Sequence, residues 1–453
     1  MEEIKKILYF PIASYFRFFA AIRLGRWHPK IVVVTGSSGK TTLLHLLESQ
    51  IGEKAKYSHH ANTSYGIPFD ILDLHRKSFY TSEWFVFMCK APAAAFKRPP
   101  KEKIYVVEAD CDLPDVGKFL GSFLRPAIVL WVNTFRTHSM NFDKLVIASD
   151  AKQSRRGLPH SSINSEFAMT ENSRRKFESV DEAIAYEYGY FLEYCSDLAV
   201  INGDIHVEVK QQERTKAKVL SITITKNNYL KNYTIGQDKT LFAIKDHNYS
   251  FKALLPEAMF YSIAMCKEAV EKLGLPFDIS FSHFVLPPGR SSLFEGIKNT
   301  TIIDSTYNAN LSSAKAILAM YKKYPAKSKW VVIGDMLELG EMEQVEHEKL
   351  AEILSKMNLE KIILFGTRTA KYTAKKLQEL GLEEKRVETF QSLKELDTFL
   401  HNNLKGGEAI LFKGSAGMLL EGVIERLLKN KSDSKRLPRR DQIWVERRAK
   451  KLA

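Results

Sequence analysis

The stretch Lys30–Leu47, KIVVVTGSSGKTTLLHLL, decides how the rest of the chain is read. Ile31–Val34 is a short β-branched run of the kind that forms a buried strand, and LLHLL after the turn reads as the start of a helix. Between them, Gly36 and Gly39 let backbone N–H groups turn toward an anion, and the helix start adds its dipole. Lys40 is placed to reach terminal phosphates and Thr41 offers a hydroxyl to Mg²⁺, with Ser37, Ser38 and Thr42 completing the loop. A strict Walker pattern has a further glycine five residues before Gly39, where this chain has Val34, so the loop is a variant phosphate cradle.

Beyond the loop, apolar runs alternate with helical patterns: KIYVVEAD, PAIVLWVN, LAVING, then TTIIDS, KWVVIGD, KIILFG and EAILFKG. That alternation predicts an α/β fold, a P-loop-type ATPase domain with a mainly parallel sheet followed by a smaller Rossmann-like domain. Prolines and Gly289 in FVLPPGR mark the junction, giving a central domain over 30–290 and a C-terminal domain over 291–430. Residues 151–178 read as a long basic loop and 205–255 as a hairpin-like β subregion attached to the central domain; 431–453 read as a basic tail. Residues 1–29 are an aromatic helical segment, with Ile12, Tyr15, Phe16, Phe19 and Ile22 at helical spacing. Two readings of it stand: a helix packed on its own protein's core, or an interfacial helix in peripheral contact with a membrane.

A formal charge of +14 favours acidic small molecules or an anionic surface. Four scattered cysteines with no C-x-x-C spacing argue against zinc ribbons and disulfide scaffolds and fit the cytoplasm, and nothing points to nucleic acid. His45, His59, His60 and His160 follow no pattern.

The motifs, taken in order, resemble the Mur ligase family from residue 30 onward. G-x-x-G-K-T-T is how that family writes its ATP site; VVEADCD places Glu108, and VNTFRTH places His138, at the family's metal-binding positions. PPGRSS puts Arg290 at a nucleotide phosphate, and IIDSTYNAN puts Asp304, Tyr307, Asn308 and Asn310 at the nucleotide, with Leu311 where the family has proline. GDMLELG and KGSAGMLLE, with that segment, are similar to the branch that adds D-alanyl-D-alanine to a UDP-muramoyl tripeptide. By themselves the residues leave alternatives: a strand-end Glu108 can cap a helix, His138 can be a loop histidine, and the asparagines can be turn residues.

The resemblance implies an ATP-dependent amide ligase working through an acyl phosphate, with ATP and Mg²⁺ as cofactors. Thr41 would hold one metal, Glu108 and His138 another, and closure of the C-terminal domain would exclude water. Its substrates would be a muramoyl-peptide-like acceptor and an amino acid or dipeptide, and the chain would act as a monomer. Three departures stand out. Only 34 residues precede the loop, so the usual UDP-binding domain is expected to be absent. The family's carbamylated lysine has no counterpart in EAIAYEYGYF, where Glu187 either supplies a carboxylate directly or lies on a helix surface. Ala416 replaces the arginine of K-G-S-R, and Pro256–Glu257 replace a Gly-x-His. The alternatives are a Mur-like ligase for a non-UDP acceptor, or a weakened ATP-binding scaffold at the membrane.

Overall fold

A computed structural model of the chain describes residues 2–59, 61–76, 82–136, 139–146, 176–224 and 229–452. Helix α1 (Glu2–Trp27) runs through Pro11, and β1 (Lys30–Thr35) follows two residues later. After the phosphate loop come α2 (Lys40–Ile51), β2 (Ala55–Tyr57), α3 (Gly66–Leu72), α4 (Ser82–Phe96), β3 (Ile104–Ala109), α5 (Val116–Leu124) and β4 (Ile128–Trp131). Helix α6 (Val180–Glu193), β5 (Leu198–Asn202) and β6 (Lys218–Ile222) close the first sheet. Its order is β2-β3-β1-β4-β5-β6 and every pairing is parallel, which places β1 and its loop in the interior of the sheet. Strands buried on both faces are the reason these segments read as unbroken apolar runs rather than alternating ones.

Chain contacts divide the protein into two compact units, Met1–Asn227 with Tyr261–Phe277, and Asn228–Phe260 with Asp278–Ala453. The second unit contains β7 (Leu230–Ile235), β8 (Thr240–Ile244) and β9 (His247–Phe251) in a three-stranded antiparallel sheet. It also contains a six-stranded sheet of β10 (Ser292–Glu295), β11 (Thr301–Ser305), β12 (Lys329–Gly334), β13 (Lys361–Phe365), β14 (Val387–Phe390) and β15 (Ala409–Lys413). There the order is β10-β11-β15-β12-β13-β14, parallel except for the antiparallel edge pair β10–β11. A mainly parallel α/β architecture with a second parallel sheet is therefore present.

Two expectations about organisation change. The 205–255 region is not one hairpin unit: residues 205–224 belong with the first unit, where 218–222 form β6, an edge strand of the first sheet, and 229–255 belong with the second unit. Ile235 and Leu254 bury themselves among Ile303, Ile317 and Leu318, and Tyr233 donates its hydroxyl to the Leu255 carbonyl at 2.8 Å. The 431–453 segment is not a solvated tail. A short 3₁₀ turn and α9 (Gln442–Leu452) fold it back, Leu437 is buried, and Trp444 and Leu452 pack against the cluster around Phe294 and Phe412. The N-terminal segment does pack on its own protein, with Ala13, Phe16, Ala20 and Trp27 in the core of the first unit.

Candidate active site

The phosphate loop is shaped by one asparagine at the end of the neighbouring strand. Asn133 Oδ1 accepts the Ser38 N–H and its Nδ2 donates to the Ser38 carbonyl, both at 2.9 Å, while its own carbonyl accepts the Ser37 N–H at 2.9 Å. Ser37 Oγ donates to the Phe135 carbonyl at 2.7 Å and accepts the Phe135 N–H at 2.9 Å. Such closeness requires glycine at Gly36: its φ is +126°, and a Cβ there would lie 2.7 Å from the Asn133 oxygen. Gly39, with φ +83°, turns the chain into α2 without a side-chain cap, leaving the first N–H groups of the helix to the loop.

Lys40 is 6% exposed and sits between two anchors, the Gly36 carbonyl at 2.5 Å and Asp110 Oδ2 at 2.8 Å. Burial alone would push its ammonium toward neutrality, but Asp110 and then Glu108 outweigh that and hold its pKa above the ordinary lysine value. Asp110 is itself fixed by the Tyr188 hydroxyl, which donates to Oδ1 at 2.9 Å, and by the Cys111 N–H at 3.0 Å. Beside this pair the Thr41 hydroxyl donates to Glu108 Oε2 at 2.8 Å. Glu108, 7% exposed, is anchored through its own N–H to Ser58 Oγ at 2.9 Å. A hydroxyl and a carboxylate this close, at the start of a helix and the end of a strand, form an oxygen donor set that suits a hard cation such as Mg²⁺.

The structure thus brings Gly36, Ser37, Ser38, Gly39, Lys40, Thr41, Thr42 and Glu108 together; His138 lies outside the described residues, as do His60, His160 and residues 151–175 of the basic loop. Glu187 is a correction. Its carboxylate, 2% exposed, accepts the N–H groups of Asp115 at 3.0 Å and Gly117 at 2.9 Å, so it caps the start of α5 from across the helix pair. Gly117 is glycine because a Cβ there would lie 2.0 Å from the Glu187 carbonyl oxygen. Burial pushes the Glu187 carboxyl up to about 7 against those two backbone bonds.

In the second unit Arg290 stacks its guanidinium over the Tyr307 ring at 3.8 Å, and Tyr307 is 46% exposed. Asp304 and Asn310 serve the fold instead of facing solvent. Asp304 is wholly buried and accepts the Thr306 N–H and hydroxyl at 2.9 and 2.7 Å through one oxygen; burial raises its carboxyl to about 6. Asn310 caps α7 (Leu311–Lys323) by accepting the Ser313 N–H at 2.7 Å, with Ser313 Oγ accepting the Asn310 N–H in return. Asn308 accepts Lys413 Nζ on its carbonyl and folds its side chain onto the Ala309 N–H.

Sequence reasoning missed Asp110, Asn133, Lys413 and Arg439. The first three stand at strand ends inside the quoted motifs, and a rule treating every polar residue there as a candidate would have found them. Arg439 gave no signal. It lies in the folded-back C-terminal segment, donates to the Thr306 and Tyr307 carbonyls at 2.9 and 2.8 Å, and pairs through two nitrogens with the buried Glu421 of α8 (Glu421–Leu427) at 2.8 and 2.7 Å. Of the unpatterned histidines, His45 and His59 flank Glu48, with one ligand atom from each of the three within 4.8 Å of the others.

Comparison with known proteins agrees with this layout. Residues 289–416 match the family model for the Mur ligase, glutamate ligase domain. A UDP-N-acetylmuramoyl-tripeptide–D-alanyl-D-alanine ligase of Buchnera aphidicola subsp. Baizongia pistaciae is 22% identical over 413 residues, 88% of this chain and 75% of the relative. The Bacillus subtilis ligase of the same name is 30% identical over 142 residues, 31% of each chain. Among solved structures, MurF ligase from Thermotoga maritima in complex with ADP superposes with a TM-score of 0.67 at 21% identity, covering 91% of this chain and 82% of that one. Escherichia coli FolC in complex with ADP superposes less well, at 0.55 and 14% identity over 88% of this chain and 89% of its own.

Proposed function

We propose that this chain is a Mur ligase, an ATP-dependent amide ligase that adds D-alanyl-D-alanine to a UDP-muramoyl peptide; the match of residues 289–416 to the Mur ligase, glutamate ligase domain and the similarity to the ligases above support it. The observation that carries the reading is Lys40, kept charged in the phosphate loop by Asp110, with the Thr41–Glu108 oxygen pair beside it.

A carboxylate is a poor electrophile at neutral pH. ATP would transfer its terminal phosphoryl group to the acceptor's carboxylate, and the amine of the dipeptide would attack the acyl phosphate and release phosphate. The work of this chain is to position and to neutralise. Backbone N–H groups at the start of α2 would face the phosphates, and Lys40 would supply a fixed positive charge where negative charge spreads in the transfer. Thr41 and Glu108 would hold Mg²⁺, which supplies charge neutralisation on the phosphates when bound. In the second unit, Arg290 with its Tyr307 partner offers a cation and a ring for a nucleotide.

Two relatives bear on the substrates. The Thermotoga structure is a complex with ADP, which supports nucleotide use, and both curated ligases are named for joining D-alanyl-D-alanine to the muramoyl tripeptide. The test is phosphate release from Mg-ATP by the purified chain given UDP-muramoyl tripeptide, with and without D-alanyl-D-alanine, beside a Lys40→Ala control. Release that needs both substrates and disappears in the control is the expected result. ATP binding without stimulation by these substrates would replace the acceptor with a non-UDP one.

A further inference from the structure

Helices α1 and α4 share the core on one side and leave an apolar face on the other. Outward on α1 lie Pro11, Ser14, Phe18 and Ala21, three or four residues apart and so on one stripe. Outward on α4 lie Phe85, Cys89, Ala93 and Phe96 at the same kind of spacing. The opposite faces of both helices, Phe16 and Ala20 on one and Phe87 and Ala91 on the other, enter a single core cluster. Tyr15 donates its hydroxyl to the Met88 carbonyl at 2.8 Å, and Arg26 Nη1 donates to the Ala95 and Lys97 carbonyls at 3.1 Å each, so the two stripes are neighbours and form one surface.

Phe18, Phe85 and Phe96 are 62%, 72% and 66% exposed, which makes them protruding side chains rather than the walls of a groove. No Asp or Glu occurs between Glu3 and Glu48, or between Glu83 and Glu102. Lys90, Lys97 and Arg98 are exposed around the α4 end of the face. Three convex phenylalanines with a basic fringe and no acid match the chemistry of an anionic bilayer surface, whose headgroups are negative and whose acyl boundary accepts rings. A second copy docked on this face would set the basic fringe against itself.

We propose that the α1–α4 face seats this protein on an anionic lipid surface, with Phe18, Phe85 and Phe96 entering the acyl boundary and Lys90, Lys97 and Arg98 meeting headgroup phosphates. Attachment is peripheral: among the described residues no helix is long and apolar enough to cross a membrane. The inference is independent of the ligase reading, since binding is measured without nucleotide or acceptor.

The experiment is co-sedimentation of the full chain with vesicles of phosphatidylcholine alone and of an equal mixture with phosphatidylglycerol. Binding to the mixed vesicles, and much less to the neutral ones, is the expected result. F18S/F85S/F96S should weaken it by about tenfold per phenylalanine while the melting temperature stays unchanged. K90E/K97E, which leaves the packing alone, should weaken it by about tenfold or more. Absence of binding to the mixed vesicles, or binding unaltered in both variants, overturns the proposal. A wild-type dimer that F18S/F85S/F96S converts to a monomer reassigns the face to a second copy.

Discussion

Lys40 and Lys413 are both buried lysines with an aspartate near the C-terminal end of an interior strand, one in each unit, yet their surroundings act on them in opposite directions. Lys40 touches its aspartate at 2.8 Å, and the contact more than offsets burial, so the ammonium is held charged. Among the described residues Lys413 hydrogen-bonds only to the Asn308 carbonyl. Its pKa falls to about 7 because burial, reinforced by Arg290, outweighs a weaker attraction from Asp304. Asp304 spends one oxygen on Thr306, and its other oxygen has no hydrogen-bond partner among the described residues. The nearby arginine that could neutralise it, Arg439, is taken up through two bonds by Glu421. Burial is common to both lysines, so the direction of the shift is decided by whether the carboxylate makes contact.

The largest effect is expected at the contacting pair. Lys40→Met should lower ATP turnover by about a thousandfold, and Asp110→Asn by about tenfold to a hundredfold, both read by phosphate release. Full turnover in Asp110→Asn would break the comparison, since the ion pair would then not be what positions Lys40. Next comes the arginine's holder. Glu421→Gln leaves Arg439 and Arg448 with a weakened partner in a buried site and should destabilise the second unit by about 3–5 kcal/mol, measured by urea unfolding.

The uncontacted pair predicts a pH signature. Between the ordinary lysine value of 10.5 and about 7, folded Lys413 holds fewer protons than the unfolded chain does, so unfolding takes up protons and stability rises with pH across that window. Between 3.8 and about 6, folded Asp304 keeps a proton that the unfolded chain releases, so its contribution falls as pH rises there. Together they place a minimum near neutrality, on the order of 2 kcal/mol deep. Lys413→Met should remove the upper limb of a stability-versus-pH curve; an unchanged curve would show that Lys413 does not titrate in that window. The smallest effect belongs to Glu187. Glu187→Gln should cost about 1 kcal/mol and leave the Mg²⁺ dependence of turnover as it was. A raised Mg²⁺ requirement would return Glu187 to the metal.

The legible parts were local ones. A strand, two glycines, a lysine and a helix lie within Lys30–Leu47, whereas Thr41 and Glu108, expected at different metals, are brought into contact only by the pairing of β1 with β3. Asp304 and Asn310, expected at the nucleotide, are bonded within their own segment. A strand-end aspartate and an asparagine before a helix look alike whether they bind a ligand or hold a turn, and only burial and bonding partners tell the two apart. Glu187 failed for the same reason: its partners, Asp115 and Gly117, are some 70 residues away in the chain. The fold of 431–453 was hidden by composition, because a run rich in Lys and Arg conceals the spacing of Leu437, Trp444 and Leu452 that fastens it.

Arg439 has a consequence for synthesis. The loop bearing Tyr307 is held by a side chain about 130 residues later in the chain, so while the ribosome is still making the intervening sequence that loop lacks its support. The side chains that shape the phosphate loop, Asn133, Asp110 and the Tyr188 that fixes Asp110, all lie about 250 residues or more earlier in the chain than Arg439. The residues that shape the cradle are therefore all made before the side chain that holds the Tyr307 loop, and that hold is one of the last contacts of the second unit to become available during synthesis.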